Sequence, residues 1–314
     1  MLGRTAWGVT WMFRYLARAE HTARLLEAGL RMALTRGDGA ARDEWRSVLV
    51  TLGQLAGYEA RHSEVAGPLV TDFILRGQDN PASVKAMIEH ARTNARMVRT
   101  ALTREVWEGV NETWMALGEA LARPVRPSTL PDTLLLIRRQ AMLVRGAMET
   151  TLLRNEIFNF ARIGAHLEAA DSTARILDVK YHVLLPSPAW VGSQLDNAQW
   201  EMVLRSVAGE RVFRWLNAGR LDARGIAQFL ILDGRFPNSL AYSYAKLASN
   251  MTALVREHGT ESPSHAMAMD AANRLRNLSI GAIFDAGLHE FLTDFIAENV
   301  RIAQAIATDY RFTE

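Results

Sequence analysis

The chain has 314 residues, 49% hydrophobic and 22% charged, an ordinary globular composition that excludes a disordered or fibrous protein. Thirty-six basic against 34 acidic residues leave a formal charge of +2, too little to hold nucleic acid or an anionic membrane by net field alone. There is no cysteine, so disulfides, thiolate nucleophiles, cysteine-based zinc sites and iron–sulfur clusters are excluded.

The N-terminal stretch carries Arg4, Arg14, Arg18 and Glu20 among its apolar residues, which is not the pattern of a signal peptide. No apolar run approaches the ~18 residues of a membrane span, and the expected compartment is the cytoplasm. From Trp7 to Leu34, apolar residues recur at steps of three and four, which predicts a long helix stopped by Gly37-Asp38-Gly39. Similar patterns predict helices over 43–58, 62–76 and 82–101, with Asn80-Pro81 as the start signal of the last. Another helix is expected over 103–122, opened by Thr103.

Pro124, Pro127 and Pro131 then make the clearest break in the chain, and a half boundary is expected at 123–131. Beyond it the expected helices are 131–150, 152–183, 196–217, 222–233, 238–258, 264–285 and 287–311. In the joint at 232–239, Asn238 or Ser239 is expected to cap and Asp233 to pair with Arg235. Runs of alternating β-branched residues are absent. The fold class is therefore all-α, an extended multi-helix bundle without significant β-sheet, read as a single domain over 1–314.

One internal repeat stands out. Ala19 to Glu27 matches Ala170 to Asp178 at a constant offset of 151 residues, with the Thr-Ala-Arg core unchanged. On the first helix, Glu20, Arg24, Glu27 and Arg31 share a face, and Glu20–Arg24 is an i,i+4 pair with the acid first. Asp171 and Arg175 repeat that pair, with Glu168 one turn earlier. Two readings follow: a solvated charged face, or a cluster in which crossing helices bring Glu20, Arg24, Glu168, Asp171 and Arg175 together. Such a cluster could bind an amine, carboxylate or phosphate, or supply a general base from Glu20, Glu168 or Asp171. Arg14, Arg18 and His21 form a second polar strip, for which a solvated or capping role is expected.

No metal site is expected. A bundle di-iron centre needs two Glu-x-x-His pairs, and only Glu59-Ala60-Arg61-His62 has that spacing. No nucleotide-cradling glycine loop is present, so no cofactor is expected. Basic and acidic residues interleave, which disfavours nucleic acid. The eight tryptophans suit core filling and interface anchoring, which leaves a homo-oligomer open.

The segments MLGRTA, RYLARAEHTARLLE, NPASVKAMIEHARTNARMVR, GAHLEAADSTARILDVKYHVLLPS, LDNAQWEMVLRS and LDGRFPNS resemble the bacterial alpha-E domain family. The resemblance implies an all-helical domain. It also implies partners, because such proteins are typically encoded beside or fused to circularly permuted ATP-grasp ligases and transglutaminase-like proteins. On that basis the chain is expected to be a helical component of a system that forms or processes a peptide or amide bond. The family's residues map onto Arg14, Glu20, Thr22 and Arg24, and onto Glu168, Asp171, Thr173, Arg175, Asp178, Lys180 and Tyr181. Arg14, Arg18, Arg24, Arg175, Lys180 and Tyr181 are the expected substrate-binding residues. Where the family motif reads Leu-Glu-Arg, this chain has Ala17-Arg18 in one copy and Glu168-Ala169 in the other. A single composite pair, Arg18 with Glu168, would survive that divergence.

Overall fold

The computed structural model describes residues 3–34, 38–183, 194–217 and 221–312, with side chains omitted at 38–40, 179–183 and 194–196. Of the expected Gly37-Asp38-Gly39 stop, Gly37 lies outside the described residues, while Asp38 and Gly39 belong to the start of the next helix. In chain order the helices are α1 (Gly3–Leu34), α2 (Asp38–Thr51), α3 (Leu55–Glu59), α4 (Gly67–Arg76) and α5 (Val84–Met97). A 3-10 turn at Arg99–Ala101 leads to α6 (Arg104–Ala120) and α7 (Leu130–Thr151). The second half holds α8 (Glu156–Val183), α9 (Gln194–Ser206), α10 (Glu210–Leu216), α11 (Ala223–Leu232) and α12 (Leu240–His258). It closes with α13 (Pro263–Asn277), α14 (Ile280–Ala286) and α15 (Leu288–Asp309). Among the described residues there is no strand, and no helix is long and apolar enough to cross a membrane.

Three expected helices are each two. Gly53, at φ +67°, ends α2 with Gln54 N bonding back to Leu49 O, so 43–58 divides into α2 and α3. Ala208, at φ 58°, separates α9 from α10, and Ser279 starts α14 by accepting from Ala282 N. Ser83, not Asn80, caps α5. Asn80 is buried instead: its amide donates to Gln54 Oε1 and Phe73 O, and its carbonyl accepts from Ala82 N. Thr103 and Ser239 cap α6 and α12 as expected, and Arg235 grips Asp233 at 2.7 and 3.0 Å.

The helices close into two rings. In the first, α1 packs on α5, α5 on α6, α6 on α7, and α7 on α1. In the second, α8 packs on α12, α12 on α13, α13 on α15, and α15 on α8. The proline-rich stretch at 123–131 connects α6 to α7 within the first ring, and the chain crosses between rings at 152–155. The rings join through α1 and α8, which run parallel. Thr10 meets Phe160 and Gly164, and further along both helices Arg14 and Arg18 meet Glu168. Gly164 permits the approach, because a Cβ there would lie 2.2 Å from Thr10 O. Both α2 and α9 brace this seam, each touching α1 and α8.

Candidate functional site

Because α1 and α8 are covered on most sides, part of each charged face is buried. At Glu20 and Glu168, 4% and 3% exposed, the solvated reading is corrected, whereas Arg31 at the end of α1 remains exposed. A buried carboxylate must be paired and hydrogen-bonded to remain ionised, and both are. Arg18 forks onto Glu168, Nε to Oε1 at 2.5 Å and Nη2 to Oε2 at 2.8 Å, and Arg14 Nε reaches Oε2 at 3.2 Å. The Arg14 guanidinium also lies 4.5 Å over the Trp11 ring. Burial pushes the Glu168 carboxyl up, but the charges and hydrogen bonds of Arg18 and Arg14 outweigh it and hold the group below the usual carboxylate range.

Glu20 is held in the same way by Arg24 at 2.7 Å and by Arg145 of α7 at 2.8 Å. Burial again opposes, and the charges of Arg145 and Arg24, with the hydrogen bond from Arg24, carry its carboxyl downward. Asp171 pairs with Arg175 at 2.7 Å. The repeat is thus visible in three dimensions: Glu20–Arg24 and Asp171–Arg175 lie on parallel helices. Arg18–Glu168, 150 residues apart, joins one helix to the other.

A cleft of about 340 Å³ opens between these helices and the turn at 51–54. Arg18, His21, Glu168, Asp171 and Arg175 line it. Two guanidinium groups thus face two carboxylates across its walls, and the lining is close to neutral. His21 Nδ1 and Thr22 Oγ1, also on the cleft wall, are buried and make no hydrogen bond within the protein. The solvated role expected for Arg14, Arg18 and His21 is therefore corrected. The two arginines seal the helix junction, and His21 is only 8% exposed.

Not every expected residue joins the cleft. Arg24 turns to a different face of α1, and Glu20 lies with Arg145 between α1 and α7. Arg14 supports Glu168 from outside the cleft lining. Thr173 Oγ1 donates to Asn238 O at 2.8 Å, and the Asn238 amide donates to Val207 O, tying the 233–239 joint to α8 and the α9 end. Asp178 pairs with His289 Nδ1 at 2.6 Å. The side chains of Lys180 and Tyr181 lie outside the described residues. Arg145 and Gln54 were missed from sequence, since nothing in local spacing links α7 or the α2–α3 turn to the repeat. Among the described residues no group of three metal-ligating side chains forms; Glu59 instead pairs with Arg46, and His62 stacks on Tyr58 at 4.5 Å.

Beside the site, His166 of α8 is buried, with its ring 5.9 Å from that of Tyr242. Burial foremost, then the charges of Arg162, Lys246 and Arg145, pushes its pKa down to about 3. Burial likewise lowers His21, against the pull of Glu20. Both imidazoles are neutral in the folded protein, whereas the unfolded chain protonates near 6.5. Their contribution to stability is complete above about pH 6.5 and is lost as the pH falls below it, by up to ~1.4 kcal/mol per unit for each. Urea unfolding at pH 7.5 and 5.5 should show this loss, reduced by about 1 kcal/mol in His166→Leu. Equal losses in both proteins would remove His166 as a cause. A separate acid limb, from Glu20 and Glu168, follows below about pH 4.5, where their unfolded forms protonate first.

Fold and site define an all-helical protein of two rings, joined by parallel repeated helices whose glutamate and arginine pair across the seam. The chain belongs to the Alpha-E family, described as a predicted alpha-helical domain with a conserved ER motif; the match runs over residues 1–310. In this chain Arg18 and Glu168, one from each copy of the internal repeat, are brought together in space. The chain is similar to uncharacterized proteins of Mycobacterium bovis and Mycobacterium tuberculosis, each 23% identical over 290 residues. The match covers 85% of this chain but only 31% of each relative. No solved structure matches.

Proposed function

We propose that this chain is a helical, non-nucleotide-binding component of a system that forms or processes a peptide or amide bond. Its partner in that reading is an ATP-grasp-type ligase, a transglutaminase-like protein, or both. The cleft between α1 and α8 carries the proposal. Its two guanidinium groups and two carboxylates around about 340 Å³ suit an amino-acid-sized group bearing both charges, or the amide of a peptide end. The relatives extend well beyond the matched region, which supports a domain that works beside others.

In this reading Glu168 and Glu20 position arginines rather than accept protons, because both oxygens of each are already bonded to guanidinium groups, Arg18 and Arg14 on Glu168 and Arg24 and Arg145 on Glu20. Arg175, 39% exposed at the cleft and paired with Asp171, is the guanidinium that would meet a substrate carboxylate. The test is a tagged purification from native cells, then an ATP-dependent amide-forming assay with the ligase that co-purifies. Arg175→Ala should cut product formation about tenfold, the loss of one charged hydrogen bond, at unchanged melting temperature. Full product with the soluble variant, or a ligase equally active without this chain, would defeat the reading.

A further inference from the structure

A second cleft, of about 230 Å³, lies on another face of α1, between α1, α7, α9 and α10. Five arginines line it, Arg24, Arg31, Arg138, Arg205 and Arg211, against two glutamates, Glu27 and Glu210. The excess persists when the ion pairs are followed outward. Glu27 is shared by Arg31 and Arg138, and Glu20, behind Arg24, is shared with Arg145. Glu201 and Glu210 are shared between Arg205 and Arg214. Arg211 is exposed and has no carboxylate partner among the described residues, and Arg138 Nε is buried without a hydrogen bond.

This arrangement is unlike the first cleft, where cations and anions balance. Four helices bring guanidinium groups together with too few carboxylates to neutralise them, and such forks match the oxygens of a tetrahedral oxyanion. A single carboxylate would leave most of the excess uncompensated. A phosphoryl group carries about −1.5 to −2 at neutral pH, and pyrophosphate carries more. We propose that the second cleft binds a soluble ligand through its phosphoryl group, with Arg31, Arg138 and Arg211 supplying the donors. This site is independent of the amide-forming reading and of its ligand.

Calorimetric titration of the whole protein with sodium pyrophosphate, and with acetate as a control, tests it. Pyrophosphate should bind, acetate should not, and binding should weaken as salt is raised. Arg31→Glu/Arg211→Glu, a change at two exposed positions, should weaken binding at least about tenfold with the melting temperature retained. Arg175→Ala, in the first cleft, should leave it unchanged. Absence of pyrophosphate binding would overturn the proposal. So would equal affinity in the double variant, or loss of binding in Arg175→Ala.

Discussion

Gly164→Ala is expected to destabilise the protein by about 3 kcal/mol or more, the upper range for overpacking, because the added carbon meets backbone that cannot rotate away. Its Cβ would lie 2.2 Å from Thr10 O, 3.0 Å from Thr10 C and 3.2 Å from Thr10 Cα. A side chain could change rotamer; a helix backbone can only translate. α1 is held in place by α5 and α7 on one side and by α2 and α9 on another, so translation disturbs several interfaces at once. The same shift would pull Arg14 and Arg18 away from Glu168. Gly146→Ala is the control. It lies inside α7, and an added methyl there would meet nothing within 4 Å, so alanine should stabilise by about 0.5–1 kcal/mol through helix propensity. Urea unfolding of both variants decides it, and equal stability would show that the seam is not limited at Gly164.

Glu168→Ala is expected to cost about 3–5 kcal/mol, the range for removing one partner of a buried ion pair. The loss of attraction is the smaller part. Arg14, with 14% of its side chain exposed, would be left as an uncompensated charge at the helix junction, and Arg18 would lose both arms of its fork. Arg18→Ala should cost less, since Glu168 keeps Arg14. A double-mutant cycle on Arg18 and Glu168 should give a coupling of about 1–3 kcal/mol. Coupling indistinguishable from zero would mean that the pair contributes geometry without energy. The exposed i,i+4 pair Arg104–Glu108 provides the contrast: its removal should leave stability unchanged.

These two effects fall on the same seam for one reason. The parallel contact of α1 and α8 makes a single site from two diverged copies of a motif. One copy supplies Arg18 and the other Glu168. With the helices parallel and in register, the two come within hydrogen-bonding distance.

The helices were legible in the chain alone, because periodicity, capping serines and threonines, and turn residues act within a few positions. The run from Trp7 to Leu34 falls within α1, and Thr103 and Ser239 cap where local chemistry places them. Repetition at an offset of 151 also marked the two helices that matter. Where boundaries were misplaced, a competing local geometry won, as with Gly53 in the left-handed region and Ser83 in place of Asn80. What the sequence could not supply was the direction in which a charged face points. Glu20 and Arg24 read equally well as a solvated pair and as a buried one, because i,i+4 spacing is the same in both. Packing settled the choice, by wrapping α1 and α8 in other helices and bringing Arg145 from α7 onto Glu20 across 125 residues of chain. The physical reason is that helix formation is local, whereas burial of a charge depends on which elements close around it. No spacing rule along one helix records its neighbours.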